Sequence, residues 1–476
     1  MRRRVVIIGA GLGGCFLARG LLDRYSVTMI ELADIPPLLR DRVSDVAHPA
    51  ETYPHIESGL GGTTKAWHNA LMEIDAPVFD RVWPYRKDEL ERYYERAYLM
   101  LSGLTREHVR RLSDELRSRL VAQGFPGELL GQHMFIPAKR INAWDHLGLK
   151  DRVEVIEGEA IKLSPASNGE VIAHVVVRNQ EGECLKVGAD YFFLAAGGLG
   201  TPLLLQDLAG KVSSPGLRWA GYRYEDHPVC FVGEVVLTKP LYKFWNYPAK
   251  TSTGNASIRI PFAMYFKNLN ISFQLRPAHH LKFSKPREKI ISVLTEIRNF
   301  PLRPINYWRL LSQADDICDI LSFKFGFRIP TRNYSILMVA EQPSSAYRAV
   351  WKEDNGRIIR RWEFGAEYID TINEALDSFL KSIGPVVSSA RIFSNWPSKI
   401  YSSSHHSGTA RISGSPEDGV INSDGRVHGL RNLYVCDGSA IPGSGFVNTG
   451  LTIAALAMKL ADHFHEMAMG RVGSGK

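Results

Sequence analysis

Cysteine is scarce in this chain. The five cysteines, Cys15, Cys184, Cys230, Cys318 and Cys436, are odd in number and form no CxxC pair. That argues against a disulfide framework and against a thiolate metal site, so no metal is expected. A reducing, cytoplasmic setting follows as the expectation. Beyond the N-terminus no apolar run approaches the ~18 residues of a membrane-spanning helix. Charge is not concentrated either. The longest like-charged run is Arg2-Arg3-Arg4, and a net charge of +8 with pI about 9.1 is mild for 476 residues. With no nucleic-acid module in sight, no nucleic-acid partner is expected. Internal repeats and low-complexity tracts are missing as well. What remains is globular material, 45% hydrophobic and 23% charged, enough for a substantial core. The length suits about three domains or one large two-domain enzyme.

The first twenty residues have the basic, apolar and small residues of a secretory leader. Their glycine spacing fits something else. Val5-Val6-Ile7-Ile8 reads as a buried parallel strand, followed at once by Gly9-Ala-Gly11-Leu-Gly13-Gly14 and a helical pattern through Leu21. A second strand, Ser26 to Ile30, ends on Glu31, 22 positions after Gly9. In this motif Gly9 permits the tight turn, Gly11 lets a pyrophosphate approach the backbone, and Gly14 lets helix pack on strand. Glu31, where a basic residue would greet a 2′-phosphate, suggests the adenosine end of FAD or NAD.

Further on, Gly61-Gly62-Thr63-Thr64 sets two glycines before two small hydroxyls, with Trp67 close behind. Such a turn offers donors to a flavin or its phosphates. Leu90, Tyr93, Tyr94, Ala97 and Leu101 mark an amphipathic helix, and a charged helix is expected over 106–122. Alternation at 153–161, 171–177 and 185–187 predicts a β-meander. A strand from Tyr191 then runs into a glycine turn at Gly197, with Pro202 expected in the first turn of a helix. Strands are predicted at 229–237, 258–265, 271–275, 335–340 and 358–364, and a helix over 366–383. Between Arg276 and Arg332 stand 11 Lys/Arg against 5 Asp/Glu, mixed with aromatics. That stretch reads as a lid with a solvated basic face or as a peripheral membrane contact.

Near the C-terminus, Asn432 to Asp437 is a short strand ending on a carboxylate, and a Gly/Pro/Ser-rich crossing follows. From Thr449 the positions Leu451, Ala455, Met458, Ala461 and Phe464 recur at helical spacing. Strand, glycine turn and helix N-terminus in a row make a place for an electron-rich group. Before them stands His405-His406-Ser-Gly408-Thr409, and just ahead of the helix, Asn448.

This order of motifs resembles the glucose–methanol–choline (GMC) flavin oxidoreductases from end to end. The segments used are the glycine turn, Gly61–Trp67, the "WP…YY…A" stretch of the sugar-oxidising branch at 83–97, Ala195–Pro202, Asp226-His227-Pro228 and 402–465. The resemblance implies an α/β fold: a doubly wound FAD-binding domain from 1–80, 140–228 and 400–476, and an antiparallel substrate domain from 81–139 and 229–399. It implies FAD, bound non-covalently because Ala66 stands where some members carry a linking histidine, with His68 on the other side of Trp67. Gly9, Gly11, Gly14, Glu31, Gly61, Gly62, Thr63, Thr64, Trp67, Gly197, Asp437, Gly438, Asn448 and Thr449 would hold it. His405 would be the base and Asn448 its partner in oxidising an alcohol, a sugar or other polyol on the branch resemblance. His406, where the family has proline, is expected to be a supporting or surface group. Oxygen, a quinone or a protein would take the electrons. Two rivals stay open: a lyase-type relative that keeps flavin as scaffold, and another FAD- or NAD-dependent oxidoreductase such as a hydroxylase.

Overall fold

Four β-branched residues, Val5 to Ile8, make β1 (Arg4–Ile8) a strand that buries both faces, the habit of a parallel sheet covered by helices. The structure is a computed structural model and describes residues 2–32, 43–46, 56–137, 140–241, 247–251, 254–277, 295–301, 303–311 and 331–470. β1 is the middle of five parallel strands. On one side lie β2 (Ser26–Glu31) and β5 (Glu154–Glu157), on the other β9 (Tyr191–Leu194) and β20 (Leu433–Val435). The chain leaves β1 in one direction and returns on its other side. That reversal opens a crevice beyond the carboxyl ends of the strands, the usual ligand position in such sheets.

Two helices close this sheet, α1 (Leu12–Leu21) and α9 (Gly450–Ala468). A Cβ on Gly20 would lie 2.6 Å from that of Ala461, so they touch almost backbone to backbone. All five apolar positions expected on α9 are buried. Phe464 stands edge-on to Tyr191, Phe193 and Tyr434 of the strands beneath. The stretch from 81 to 139 begins in the last turn of α2 (Ala76–Val82) and carries α3 (Asp88–Ser102) and α4 (Arg106–Ala122). α3 lies against α9, with Tyr94 Oη 3.0 Å from Thr452 Oγ1.

The second large sheet is antiparallel. It orders β13 (Phe262–Phe266), β14 (Leu269–Pro277), β15 (Thr331–Ala340), β10 (Pro228–Leu241) and β18 (Val387–Ile392), with β19 (Tyr401–Ser402) also on β10. Helix α8 (Ala366–Ser382) covers one face, Phe379 stacking on Phe273. Three small sheets complete the strands: β4 (Met134–Pro137) with β12 (Gly254–Arg259) and β11 (Tyr247–Thr251); β3 (Val43–Val46) with β17 (Ile358–Arg361) and β16 (Ala349–Lys352); and β6 (Glu159–Pro165), β7 (Ile172–Arg178) and β8 (Cys184–Val187).

Three expectations need correction. The alternation at 153–161 is two strands, because Gly158 turns the chain from β5 into β6; a Cβ there would lie 2.8 Å from Arg178 O. The run 258–265 is also split, its halves entering β12 and β13 in different sheets. Pro202 is the sixth residue of α6 (Gly197–Gln206) and not a first-turn residue. Lacking an N–H, it frees the carbonyl of Gly198, and Thr409 Oγ1 donates to that oxygen at 2.8 Å. The proline thus hands a helix carbonyl to the histidine-bearing loop. Of the basic stretch 276–332 most lies outside the described residues; α7 (Pro304–Leu311) belongs to the part that is described. No described helix is long and apolar enough to cross a membrane.

Candidate active site

A cavity of about 1760 Å³ opens beyond β1 and runs beneath the antiparallel sheet. It exceeds the ~300–1,000 Å³ of an ordinary ligand pocket and has room for a dinucleotide and a second molecule. Its floor is backbone. Gly9 takes φ +108°, and a Cβ on it would overlap the Ala195 carbonyl at 2.3 Å. A Cβ on Gly13 would sit 1.9 Å from Cys436 O, and one on Gly14 2.1 Å from Gly9 O. At Gly11 the nearest atom would be 4.0 Å away, which leaves the space in front of α1 open. Gly13 was not singled out from the sequence, yet its contact with the end of β20 is the tightest of the four.

Gly11 at α1, Gly197 at α6 and Thr449 at α9 all line the cavity. Three helix N-termini thus turn their positive ends on one space, the arrangement that suits phosphate and other anionic groups. Glu31 lines it too. Its oxygens accept from the N–H of Ala10, of Leu32 at 2.9 Å and of Gly59 at 3.1 Å. Burial nevertheless raises its carboxyl to about 7. The open Gly11 position, the Glu31 acceptors and the convergent helix ends fit a dinucleotide.

The second glycine turn divides its labour. Gly62, Thr63 and Trp67 line the cavity. Gly61, at φ +93°, is a packing glycine: a Cβ there would strike Asn142 Oδ1 at 2.0 Å, at the cap of α5 (Ala143–His146). Thr64 borders the cavity, but its hydroxyl donates to Gly61 O and accepts from Ala143 N at 3.0 Å. Trp67 Nε1 donates to Ile141 O at 3.0 Å, and its ring covers the start of α9 at Gly450. Asp437 is a clamp. It accepts from Gly197 N at 2.9 Å and Thr201 Oγ1 on one oxygen, and from Ser439 N at 2.8 Å on the other. It ties the α6 turn to the Gly438 turn, and burial pushes its carboxyl up.

The histidines stand on a loop pinned at both ends. Ser402 pairs with Pro228, and Ser407 bridges Glu225. Between these points Ser404 takes φ +62°, in the left-handed region, so the backbone is not extended there. The two rings part all the same. His405 Nε2 lies 3.0 Å from Asn448 Nδ2, and Nδ1 lies 3.1 Å from Ser403 Oγ. An amide nitrogen only donates, so Nε2 is the free-base nitrogen and Nδ1 carries the proton to Ser403. Ser403 Oγ in turn donates to Asp226 Oδ1 at 2.7 Å. Burial, then neighbouring His227, holds the imidazole down to about 3, so it is neutral at pH 7. His406 turns to Tyr224, with Nδ1 2.7 Å from the hydroxyl and the rings stacked. It is a supporting group and not a surface one, its side chain only 9% exposed.

Asp226 and His227, whose segment entered above only through the resemblance, organise this loop. Asp226 accepts from His227 N at 2.7 Å, His405 N at 3.0 Å, Tyr224 Oη at 3.3 Å and the hydroxyls of Ser402 and Ser403. Arg360 Nη1 lies 3.8 Å away. Despite its burial, His406, Arg360 and these donors hold its carboxyl well below the usual range. Arg360, fully buried, also donates to Asp45 of β3 at 2.7 and 2.6 Å. His227 Nε2 reaches Val447 O at 2.8 Å and so fixes the residue before Asn448. A buried Asp-His pair directly before a strand is the signal that could have marked them.

Comparison with known proteins agrees with this architecture. Residues 368–457 match the family model described as GMC oxidoreductase. A 57-residue segment is 44% identical to 6'''-hydroxyparomomycin C oxidase of Streptomyces lividus, covering 12% of this chain and 10% of that protein. Over 87 residues the chain is 31% identical to a long-chain-alcohol oxidase of Arabidopsis thaliana, 18% of this chain and 11% of that one. The matched segments thus span about a tenth of these relatives' length. The solved pyridoxine 4-oxidase from Mesorbium loti shares the fold over 98% of this chain and 99% of its own, at TM-score 0.63 and 16% identity. The expected α/β fold with parallel and antiparallel sheets is shared with that structure, and the family match itself lies in the segment 368–457 that carries the histidine loop and the start of α9.

Proposed function

We propose that this chain is an FAD-dependent oxidoreductase that oxidises the CH–OH group of an alcohol. The observation that carries the reading is the neutral His405 imidazole, Nε2 3.0 Å from the Asn448 amide, on the wall of the cavity. An alcohol hydroxyl placed between them gives its proton to Nε2, while the Asn448 amide donates to the oxygen. Nδ1–H stays on Ser403, and Asp226 behind it steadies the imidazolium that forms. When bound, FAD supplies the acceptor for the carbinol hydride. Gly11, Glu31, Gly62 and Thr63 would hold its nucleotide portion, and the positive end of α9 at Thr449 faces the same space. The two relatives are named as oxidases of hydroxyl-bearing compounds, which supports the reaction class.

General-base catalysis contributes roughly 10²–10⁴-fold. His405→Ala should therefore keep fold and FAD but slow anaerobic flavin reduction by that order, and Asn448→Ala should also be slow with its flavin in place. A His405→Ala enzyme that reduces flavin at the wild-type rate would sink the assignment. We infer non-covalent binding, because Ala66 occupies the cavity wall where a linking histidine would stand. Acid precipitation should release yellow FAD into the supernatant. A yellow pellet would instead point to His68, which lines the same cavity.

A further inference from the structure

Past His405 and Asn448 the cavity continues under the antiparallel sheet. Such a sheet, with one face on the core, usually turns polar residues outward on the other. Here the face on α8 is apolar as that habit requires. Phe273 of β14 stacks on Phe379 and stands opposite Met338 of β15, with Cys230 of β10 beyond. Over the two central strands the second face is apolar as well. Val229 and Phe231 of β10 and Leu337 and Val339 of β15 line the cavity. They alternate with the core-facing residues, as a pleat requires. The register sets Val229 opposite Val339 and Phe231 opposite Leu337. Both strands are interior to the sheet, so their backbone groups go into its ladders on either side. What these four residues offer the cavity is hydrocarbon. The wall is continuous with the active site, because Val229 also pairs with Tyr401 of β19, the strand that leads to the histidines. Met134 and Ile136, alternate residues of β4, line the same cavity. At the far edge of the sheet the polar groups answer one another, Arg276 Nη2 donating to Gln274 Oε1 at 2.6 Å.

A hydroxyl laid against such a wall gives up water and gains no partner, which is unfavourable. A methylene laid there gains by the same move. We propose that the substrate is an alcohol with an apolar body, its hydroxyl at His405 and Asn448 and its carbon chain along Val229, Phe231, Leu337 and Val339. The proposal rests on the alcohol-oxidising reading of the site and narrows it away from a polyol.

The test is calorimetric titration of the purified holoenzyme with linear carboxamides of four to eight carbons. Their amide offers a donor to His405 and an acceptor to Asn448, and they carry no carbinol hydride to lose. Affinity should rise about three- to four-fold with each added methylene. Phe231→Asn should flatten that rise. Val339→Thr, which keeps the shape and adds a hydroxyl, should flatten it in part, and it decides if the first variant fails to fold. Affinity that ignores chain length, or a rise unchanged in the folded variants, overturns the proposal. Anaerobic flavin bleaching separates the two ideas. Linear primary alcohols should bleach the flavin at lower concentrations than polyols of equal carbon number. Bleaching by polyols alone keeps the oxidoreductase and removes the apolar substrate. Chain-length-dependent binding with no bleaching by any alcohol does the reverse.

Discussion

The two halves of the cavity are built from different materials. At the nucleotide end the contacts are backbone: glycines where a Cβ would strike a carbonyl, and helix N-termini that present N–H groups. At the histidine end they are side chains, drawn from 224–227, 360, 402–406 and 448 and joined through one carboxylate, Asp226. A backbone cradle depends on a missing atom at a few positions. A side-chain network depends on directed protons and on a buried charge that stays paired. The first should fail abruptly under small steric changes, the second by degrees.

The largest effect is expected at Gly13. An added methyl would lie 1.9 Å from Cys436 O, a backbone atom at the end of β20, and α1 and β20 must part to admit it. Gly13→Ala should yield insoluble or colourless protein. Gly11→Ala, with its nearest neighbour at 4.0 Å, should fold and bind FAD more weakly, because its methyl enters the cavity. Flavin content of the two purified variants is the measurement. A Gly13→Ala protein with full flavin would remove the distinction between the halves.

This contrast also explains what the sequence disclosed. Glycine spacing marks a backbone cradle, because each glycine answers a local need within a few residues. Gly9, Gly11, Gly14 and Glu31 could thus be read in order, and the apolar stripe of α9 with them. The side-chain network has no such local signature. Asp226 meets Ser403 and His405 across nearly 180 residues, and Arg360 reaches Asp45 across 315. His405 was legible through the spacing of its Gly-Thr, whereas the carboxylate behind it was not. Pro202 was misplaced for a related reason: its role depends on Thr409, far along the chain.

The middle-sized effect tests the network directly. Asp226→Asn should lower flavin reduction on the order of 10²-fold, within the range for a disabled general base. It also weakens the loop, since breaking a buried charge pair costs about 3–5 kcal/mol. Should that variant fail to fold, Ser403→Ala removes two hydrogen bonds, those to His405 Nδ1 and Asp226, about 1 kcal/mol each or roughly five-fold in rate apiece. Ser403→Thr keeps the hydroxyl and should restore most of the loss, which a merely structural role would not predict. The pH profile adds a second readout. With His405 held near 3 by burial, the base is already unprotonated at pH 5. Wild-type reduction should show no acid limb near pH 6.5; a limb there would mean that the imidazole titrates as it does in water.

The smallest effect separates the adjacent histidines. His406 touches the network from behind, with Nδ1 2.7 Å from Tyr224 Oη and 3.7 Å from Asp226 Oδ2. It makes none of the contacts that His405 makes with Ser403 and Asn448. Its carbonyl packs on α6, where a Cβ added to Gly198 would meet it at 2.4 Å, but that contact is backbone and survives removal of the ring. His406→Ala should therefore lose the stacking on Tyr224 and one neighbour of Asp226. In stability this amounts to about 1–3 kcal/mol, the cost of a lost ring contact and hydrogen bond. Flavin reduction should stay within several-fold of wild type, because the His405 ring keeps both its partners, Asn448 at the proton-accepting Nε2 and Ser403 at Nδ1. Melting temperature and anaerobic reduction rate, measured on the same preparation, give the two numbers. If His406→Ala is inactive while His405→Ala reduces its flavin normally, the base sits on the other histidine and Tyr224, not Asn448, is its partner.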